Sequence, residues 1–305
     1  MGCHIRAILV AGAMALAWAW MPHAALPADR DVPPTTRFLS PDGIPLPDDY
    51  RIDPTAWTFF VVPGFQDPGT SAPSLSQADA IRQAYPEANV IVVDWRVPAQ
   101  VETEGERSGL ALFGQIWGLY QEYQRAVGVS KQVGRRIAEW MKARGVAPRR
   151  TVICGHSLGG QIAAFASNAC ARSELCNEPV GIVVATDPAG PCFELKPPEE
   201  RLDKTDAGQV IVVHTTRVFG DENPIGTWDV YVSWPETKQP DYVWQHSQAR
   251  EMVTASFVGS YVIDIDGSPA NADFADSDSS DAQSRVAQPE RPPNLAVAST
   301  TTAYH

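Results

Sequence analysis

The sequence predicts an α/β protein with a mostly parallel central sheet and helices on both faces of the sheet. Short runs of valine and isoleucine recur along the chain, and segments with helical spacing separate them. Continuous runs of this kind are typical of parallel strands that are buried on both faces. In addition, the one Gly-x-Ser-x-Gly of the chain, at 155–159, lies between such a run and a helical segment.

The apolar runs are the predicted strands, and the periodic segments between them are the predicted helices. The run at 229–234 alternates, which indicates a half-exposed strand, and Gly145 and Pro148 end the longest helix. Strands are expected at 58–62, 89–93, 151–154, 180–185, 209–214 and 229–234. Helices are expected at 76–85, 119–144, 161–166 and 247–257.

The two ends of the chain differ in composition from its middle. Residues 1–28 have a weakly basic start, an apolar stretch and small residues before Asp29, which predicts a signal peptide. We therefore expect a secreted or periplasmic protein, with an uncleaved membrane anchor as the alternative. Residues 29–266 form the predicted α/β domain, and 267–305 predict a mostly disordered acidic and polar tail.

Charge and cysteine content restrict the partners. The formal net charge of −12 argues against nucleic acid and against strong attraction to anionic lipid surfaces. The net charge does not argue against neutral lipids as substrates. Export would permit a disulfide between Cys170 and Cys176, which the sequence leaves undecided. The spacing of cysteine and histidine does not suggest a zinc site.

The segment 155–159 reads Gly-His-Ser-Leu-Gly and predicts a nucleophile elbow. A serine on a tight turn between a strand and a helix projects its Oγ outward. Ser157 is therefore the predicted nucleophile, and the N–H of Leu158 at the helix N-terminus is a predicted oxyanion donor. The alternative is a chance match within a loop, which the strand and helix around it disfavour.

A serine hydroxyl needs a base, and the base needs a carboxylate that orients it. Four of the six histidines lie in the leader, the tail or the elbow itself. Of the other two, His246 follows all the strands and precedes the final predicted helix. The chain order serine, acid, histidine favours it, and His214 remains the alternative.

Asp187 is the predicted acid because it directly follows the strand at 180–185, on the sheet edge where the elbow is expected. Asp221 and Asp229 remain alternatives. The second oxyanion donor is predicted to be the N–H of Phe65, which follows an early strand and the small residue Gly64. An ordinary strand-to-helix turn is the alternative reading of that loop.

Taken together, these motifs resemble the pancreatic-lipase family of α/β-hydrolases over roughly residues 35–260. The matching segments are 36–39, 64–65, 93–95, 155–159, 187–193, 201–203 and 212–215, followed by His246. The resemblance implies an α/β-hydrolase fold and cleavage of carboxylic ester bonds of lipids. It also implies the same site residues: Ser157, Asp187 and His246, with Phe65 and Leu158 as oxyanion donors.

The resemblance further implies a structural calcium site in the loop after the acid. Its ligands would be the carboxylates of Asp203 and Asp206 and the carbonyls of Pro198 and Arg201. Carboxylates and carbonyls suit calcium. A solvated acidic turn is the alternative. No cofactor is expected for the chemistry itself.

Three departures from the family refine the expectation. Pro63 stands where the family commonly has histidine, and no C-terminal β-sandwich like that of the vertebrate lipases is expected. Only 235–242 separates the last strand from His246, so a long lid cannot fit and the site should be open. We expect a lipase, phospholipase or esterase that acts on a lipid or small ester without a colipase-like partner. The alternatives are a non-catalytic lipid-binding protein, an acyltransferase or a peptidase.

Overall fold

The computed structural model describes residues 35–96, 109–172, 174–232, 234 and 241–259. Within these residues, seven strands form one sheet in the order β1-β3-β2-β4-β5-β6-β7. β1 runs antiparallel to β3, and all other neighbours are parallel. The predicted mostly parallel sheet is therefore confirmed. The strands are β1 (Thr35–Leu39), β2 (Thr58–Val62), β3 (Asn89–Arg96), β4 (Thr151–His156), β5 (Ile182–Thr186), β6 (Gln209–His214) and β7 (Trp228–Tyr231).

Helices cover both faces of this sheet. Within the described segments they are α1 (Ala72–Ala84), α2 (Gly109–Arg144), α3 (Leu158–Cys170) and α4 (Tyr242–Phe257). α2 and α3 pack on one face, and α1 and α4 pack on the other. In β2, Phe60 and Val62 belong to the first core and Phe59 and Val61 to the second. Successive side chains of a strand point to opposite faces, so burial on both sides explains the continuous apolar runs.

Some element boundaries differ from the prediction. α1 begins at Ala72 rather than 76, because the side chain of Ser71 caps it by accepting from the N–H of Ser74. α4 begins at Tyr242 rather than 247, because the side chain of Asp241 accepts from the N–H of Trp244 at 3.0 Å. His246 therefore lies inside this helix and not before it.

Several predictions concern residues outside those that the structure describes. They are the signal peptide at 1–28, the tail at 267–305 and most of the short segment before α4, at 235–240. Of the helices that are described, none combines the length and the apolar character needed to cross a bilayer.

The structure holds Cys170 and Cys176 as free thiols, so it does not contain the disulfide that the sequence left open. The two residues are neighbours, since the N–H of Cys176 donates to the carbonyl of Cys170 at 3.2 Å. The Cys170 thiol is buried and lies 3.6 Å from the sulfur of Met141. This burial raises the pKa of the Cys170 thiol.

Candidate active site

Ser157 is the single residue between the end of β4 and the start of α3. Its backbone has φ 55° and ψ −122°, a conformation that non-glycine residues rarely adopt. Such strain persists only where the surrounding structure holds it. Here the N–H of Ser157 donates to the Thr186 carbonyl at 3.0 Å, and the Ser157 carbonyl accepts from Ala189 at 3.1 Å. The predicted elbow is thus tied to the end of β5, where the predicted acid lies.

The glycines of the motif are required by close packing. A Cβ on Gly155 would lie 2.2 Å from the carbonyl oxygen of Gly159, and one on Gly159 would lie 2.1 Å from that of Val62. Side chains do not fit at either position. The turn can be this tight, and can leave Ser157 partly exposed, only because both residues lack a side chain.

Asp187 and His246 are hydrogen-bonded to each other. The Nδ1 of His246 lies 2.6 Å from Oδ2 of Asp187, which is fully buried. The other oxygen, Oδ1, accepts from the N–H groups of Thr215 at 2.7 Å and Thr216 at 3.0 Å. Burial raises the pKa of Asp187, but the hydrogen bonds with His246 and the two threonines outweigh it and leave the pKa below its ordinary value. Asp187 is therefore ionised, and Nδ1 of His246 is the nitrogen that donates.

His214 and Asp229, the alternative base and one of the alternative acids, form a separate pair. The Nε2 of His214 lies 2.8 Å from Oδ1 of Asp229, and its Nδ1 lies 2.6 Å from the carbonyl of Asp221. Tyr231 stacks on the His214 ring, with the two ring centroids 4.3 Å apart. Both ring nitrogens are used at the β6–β7 edge, so His214 has no nitrogen left for a nucleophile.

The two predicted oxyanion donors lie on the backbone beside Ser157. A Cβ on Gly64 would come within 3.0 Å of Cβ of Ser157, so the loop that follows β2 passes directly next to the serine. Phe65 is the next residue of that loop. Leu158 is the first residue of α3, and the first N–H groups of a helix have no partner within the helix.

Pro63 begins this loop, at the position where the family commonly has histidine. Its carbonyl accepts from the indole Nε1 of Trp95 at 2.9 Å, in a buried contact with β3. The departure at Pro63 therefore leaves the start of the loop anchored to the sheet.

His156, the second residue of the elbow motif, contacts the predicted base. The centroid of its ring lies 4.7 Å from the centroid of the His246 ring, and its Nδ1 lies 3.0 Å from the Thr186 carbonyl. Burial, followed by the nearby charges of His246 and Arg250, holds the pKa of His156 well below its ordinary value. His156 is therefore a neutral neighbour of His246. The motif gave no signal of this contact, because Gly-x-Ser-x-Gly does not specify the second residue.

The residues of the predicted calcium site lie in one loop but are engaged with each other. Oδ1 of Asp206 accepts from Nδ2 of Asn168, and Oδ2 accepts from the N–H of Asp203, both at 2.7 Å. Asp203 in turn accepts from Thr205. Among the residues that the structure describes, no group of three or more His, Cys, Asp or Glu could hold a metal ion. Both carboxylates are thus hydrogen-bonded within this region of the protein, and the calcium site stays a prediction.

Comparison with known proteins gives the family. A sequence model of the family described as Lipase matches residues 52–242, more than half of the chain. The chain belongs to the lipase family. The matched region contains Ser157 and Asp187 and ends before His246. The resemblance that the motifs indicated is confirmed, and with it the α/β-hydrolase fold.

Curated relatives of this lipase-family protein match over part of their length. Phospholipase A1 2 of Dolichovespula maculata is 33% identical over 180 residues, which are 57% of this chain and 54% of that protein. Phospholipase A1 of Vespula squamosa is 34% identical over 178 residues, with the same coverage. Lipoprotein lipase of Gallus gallus is 32% identical over 190 residues, 58% of this chain and 33% of that protein. The chain thus spans about half the length of the first two and a third of the last.

Solved structures give weaker similarities. Mouse alpha/beta hydrolase domain-containing protein 10 is 10% identical with a TM-score of 0.43, covering 76% of this chain and 95% of that one. A phospholipase/carboxylesterase from Dyadobacter fermentans is 10% identical with a TM-score of 0.40, covering 74% and 98%.

Proposed function

We infer that this lipase-family protein hydrolyses carboxylic ester bonds of lipids through an acyl-enzyme on Ser157. The observation that carries the proposal is the 2.6 Å contact between His246 and Asp187, on the edge of the sheet where the strained elbow holds Ser157. An ionised acid, an oriented imidazole and a serine on an elbow are the parts that acyl transfer needs.

Each residue has one role in the proposed reaction. Nδ1 of His246 is hydrogen-bonded to Asp187, so Nε2 is the nitrogen that takes the proton from Ser157 Oγ. The oxygen then attacks the ester carbonyl carbon, and the N–H groups of Phe65 and Leu158 stabilise the resulting oxyanion. The imidazolium of His246 gives its proton to the leaving alcohol. Water then cleaves the acyl-enzyme, with His246 again as the base.

The first substrates to test are phospholipids, since several relatives are named phospholipase A1. The start of α4 offers a surface that suits lipid, because the side chains of Tyr242, Val243 and Trp244 are 37%, 46% and 38% exposed. These residues lie two to four positions before His246 on the same helix. We propose a secreted protein as well, on the leader pattern of residues 1–28.

The test measures hydrolysis of p-nitrophenyl butyrate and of phosphatidylcholine vesicles, together with labelling by a fluorophosphonate probe. Ser157→Ala should abolish both turnover and labelling. Ser256→Ala is the matched control, since its hydroxyl only donates to the Val253 carbonyl within α4; it should behave as the wild type. Wild-type turnover in Ser157→Ala would show that the proposal is wrong. An unlabelled, inactive wild type would indicate a non-catalytic lipid-binding protein.

A further inference from the structure

A partly buried ion pair joins the oxyanion loop, residues 63–67, to α4. Nη1 of Arg250 lies 2.5 Å from Oδ2 of Asp67, and their side chains are only 7% and 22% exposed. Asp67 ends the loop that carries Phe65. Arg250 lies about one helical turn after His246 on the same helix. The pair therefore connects the backbone of a proposed oxyanion donor to the helix of the proposed base.

The loop needs such an anchor because its backbone is strained. Gln66 has φ 58°, in the left-handed region that disfavours a side chain, and the N–H of Asp67 closes the turn on the Gly64 carbonyl at 3.3 Å. The side-chain amide of Gln66 also donates to the Glu122 carboxylate at 3.0 Å, but that contact is exposed to solvent. The contact with Arg250 is partly buried, and partly buried pairs are screened much less by salt.

We propose that Arg250 is a positioning residue, which acts through Asp67 to hold the oxyanion loop at a fixed distance from the helix of His246. This inference rests on the proposed function. A guanidinium binds a carboxylate with a defined, forked geometry, which lysine reproduces only in part. A shift of about 1 Å in a donor that must meet the transition state can lower the rate by about a hundredfold.

The surroundings of Arg250 agree with this role. Besides burial and the charge of His246, the charge of Arg250 lowers the pKa of His156, the residue next to Ser157. Arg250 does not need to touch the substrate for this effect.

The experiment compares kcat and KM for p-nitrophenyl butyrate, with kcat expressed per site titrated by the fluorophosphonate. Arg250→Met and Asp67→Asn should each lower kcat about 10- to 100-fold and change KM by less than about threefold. Arg250→Lys should recover part of the loss. The double variant should lose no more than either single variant, because both remove the same contact. As a control, Arg149→Met breaks the exposed pair with Glu178 and should leave kcat unchanged.

Wild-type kcat in Arg250→Met would overturn the inference, and so would a double variant whose loss is the product of the single losses. If Arg250→Met yields no titratable sites, Asp67→Asn decides the matter alone, because it keeps the size of the side chain and removes only its charge. The two proposals fail differently. Turnover that survives Ser157→Ala contradicts the proposed function, whereas Ser157-dependent turnover that is insensitive to Arg250 contradicts only this inference.

Discussion

Asp187→Asn should lower kcat about ten-thousandfold, and the hydrogen bonds around Asp187 give the reason. Its Oδ1 accepts from two backbone N–H groups, those of Thr215 and Thr216, and its Oδ2 faces Nδ1 of His246. An asparagine must keep its oxygen toward the two N–H groups, because a buried NH₂ facing both would leave them unsatisfied. Its NH₂ then faces His246. Nδ1 of His246 must then accept a hydrogen bond, so the imidazole carries its proton on Nε2. A protonated Nε2 cannot take the proton of Ser157.

The magnitude follows from the same substitution in a serine protease triad, where the wrong tautomer lowers kcat by about 10⁴. That factor corresponds to about 5.5 kcal/mol of transition-state stabilisation. The assay is the rate of p-nitrophenyl butyrate hydrolysis per titrated site. Asp229→Asn is the matched control, since it makes the same change beside His214. It should lower the stability of the protein but keep kcat per site within about threefold.

Two results would refute this reasoning. One is a kcat of Asp187→Asn within tenfold of the wild type. The other is a larger loss of kcat in Asp229→Asn, which would indicate that the His214–Asp229 pair is the catalytic one.

The pH dependence of activity adds a check. The pKa of Asp187 is below its ordinary 3.8, so its ionised form stabilises the native state above that pH, and this contribution is lost as the pH falls through the lowered pKa. Loss of wild-type activity on acidification above pH ~4 must therefore come from a group other than Asp187.

Two further predictions concern the elbow. Gly159→Ala should lower the melting temperature by about 5–10 °C, because its Cβ would meet a carbonyl oxygen of β2 at 2.1 Å. Gly128→Ala in α2 is the control, because no atom lies within 4 Å of the added Cβ, and it should stabilise the protein by about 0.5–1 kcal/mol. Thermal unfolding measures both variants. Equal shifts in melting temperature would contradict the packing argument. His156→Asn should move the acid midpoint of the pH–rate profile by less than about one unit, since His156 is already neutral beside His246. A larger movement would mean that His156 itself titrates in that range.

The sequence predicted the sheet and the site residues for different reasons. Runs such as 89–93 and 209–214 have the composition of strands buried on both faces, so the local sequence is sufficient to predict them. Chain order and the family resemblance favour His246 over His214, but the type of residue does not encode which carboxylate an imidazole will face. The structure supplies that information by pairing His214 with Asp229.

Other features depend on contacts that no local pattern contains. The start of α4 depends on a cap by Asp241, which is one polar residue among several in a turn. The ion pair between Asp67 and Arg250 joins residues 183 positions apart. Neither residue belongs to a motif, so a reading based on motifs could identify the proposed nucleophile, acid and base but not the contact that we propose to hold the loop and the helix together.

Gln161 ties the segment that follows Asp187 to α3. This side chain of α3 is fully buried. Its amide donates to the Ala189 carbonyl at 2.9 Å, just after the acid, and its oxygen accepts from the N–H of Leu202 at 2.7 Å. One residue of the elbow helix therefore fixes both ends of the loop that runs from Asp187 toward the predicted calcium ligands. These contacts, and that of Asp206 with Asn168, tie the loop after Asp187 to α3 through the protein's own side chains.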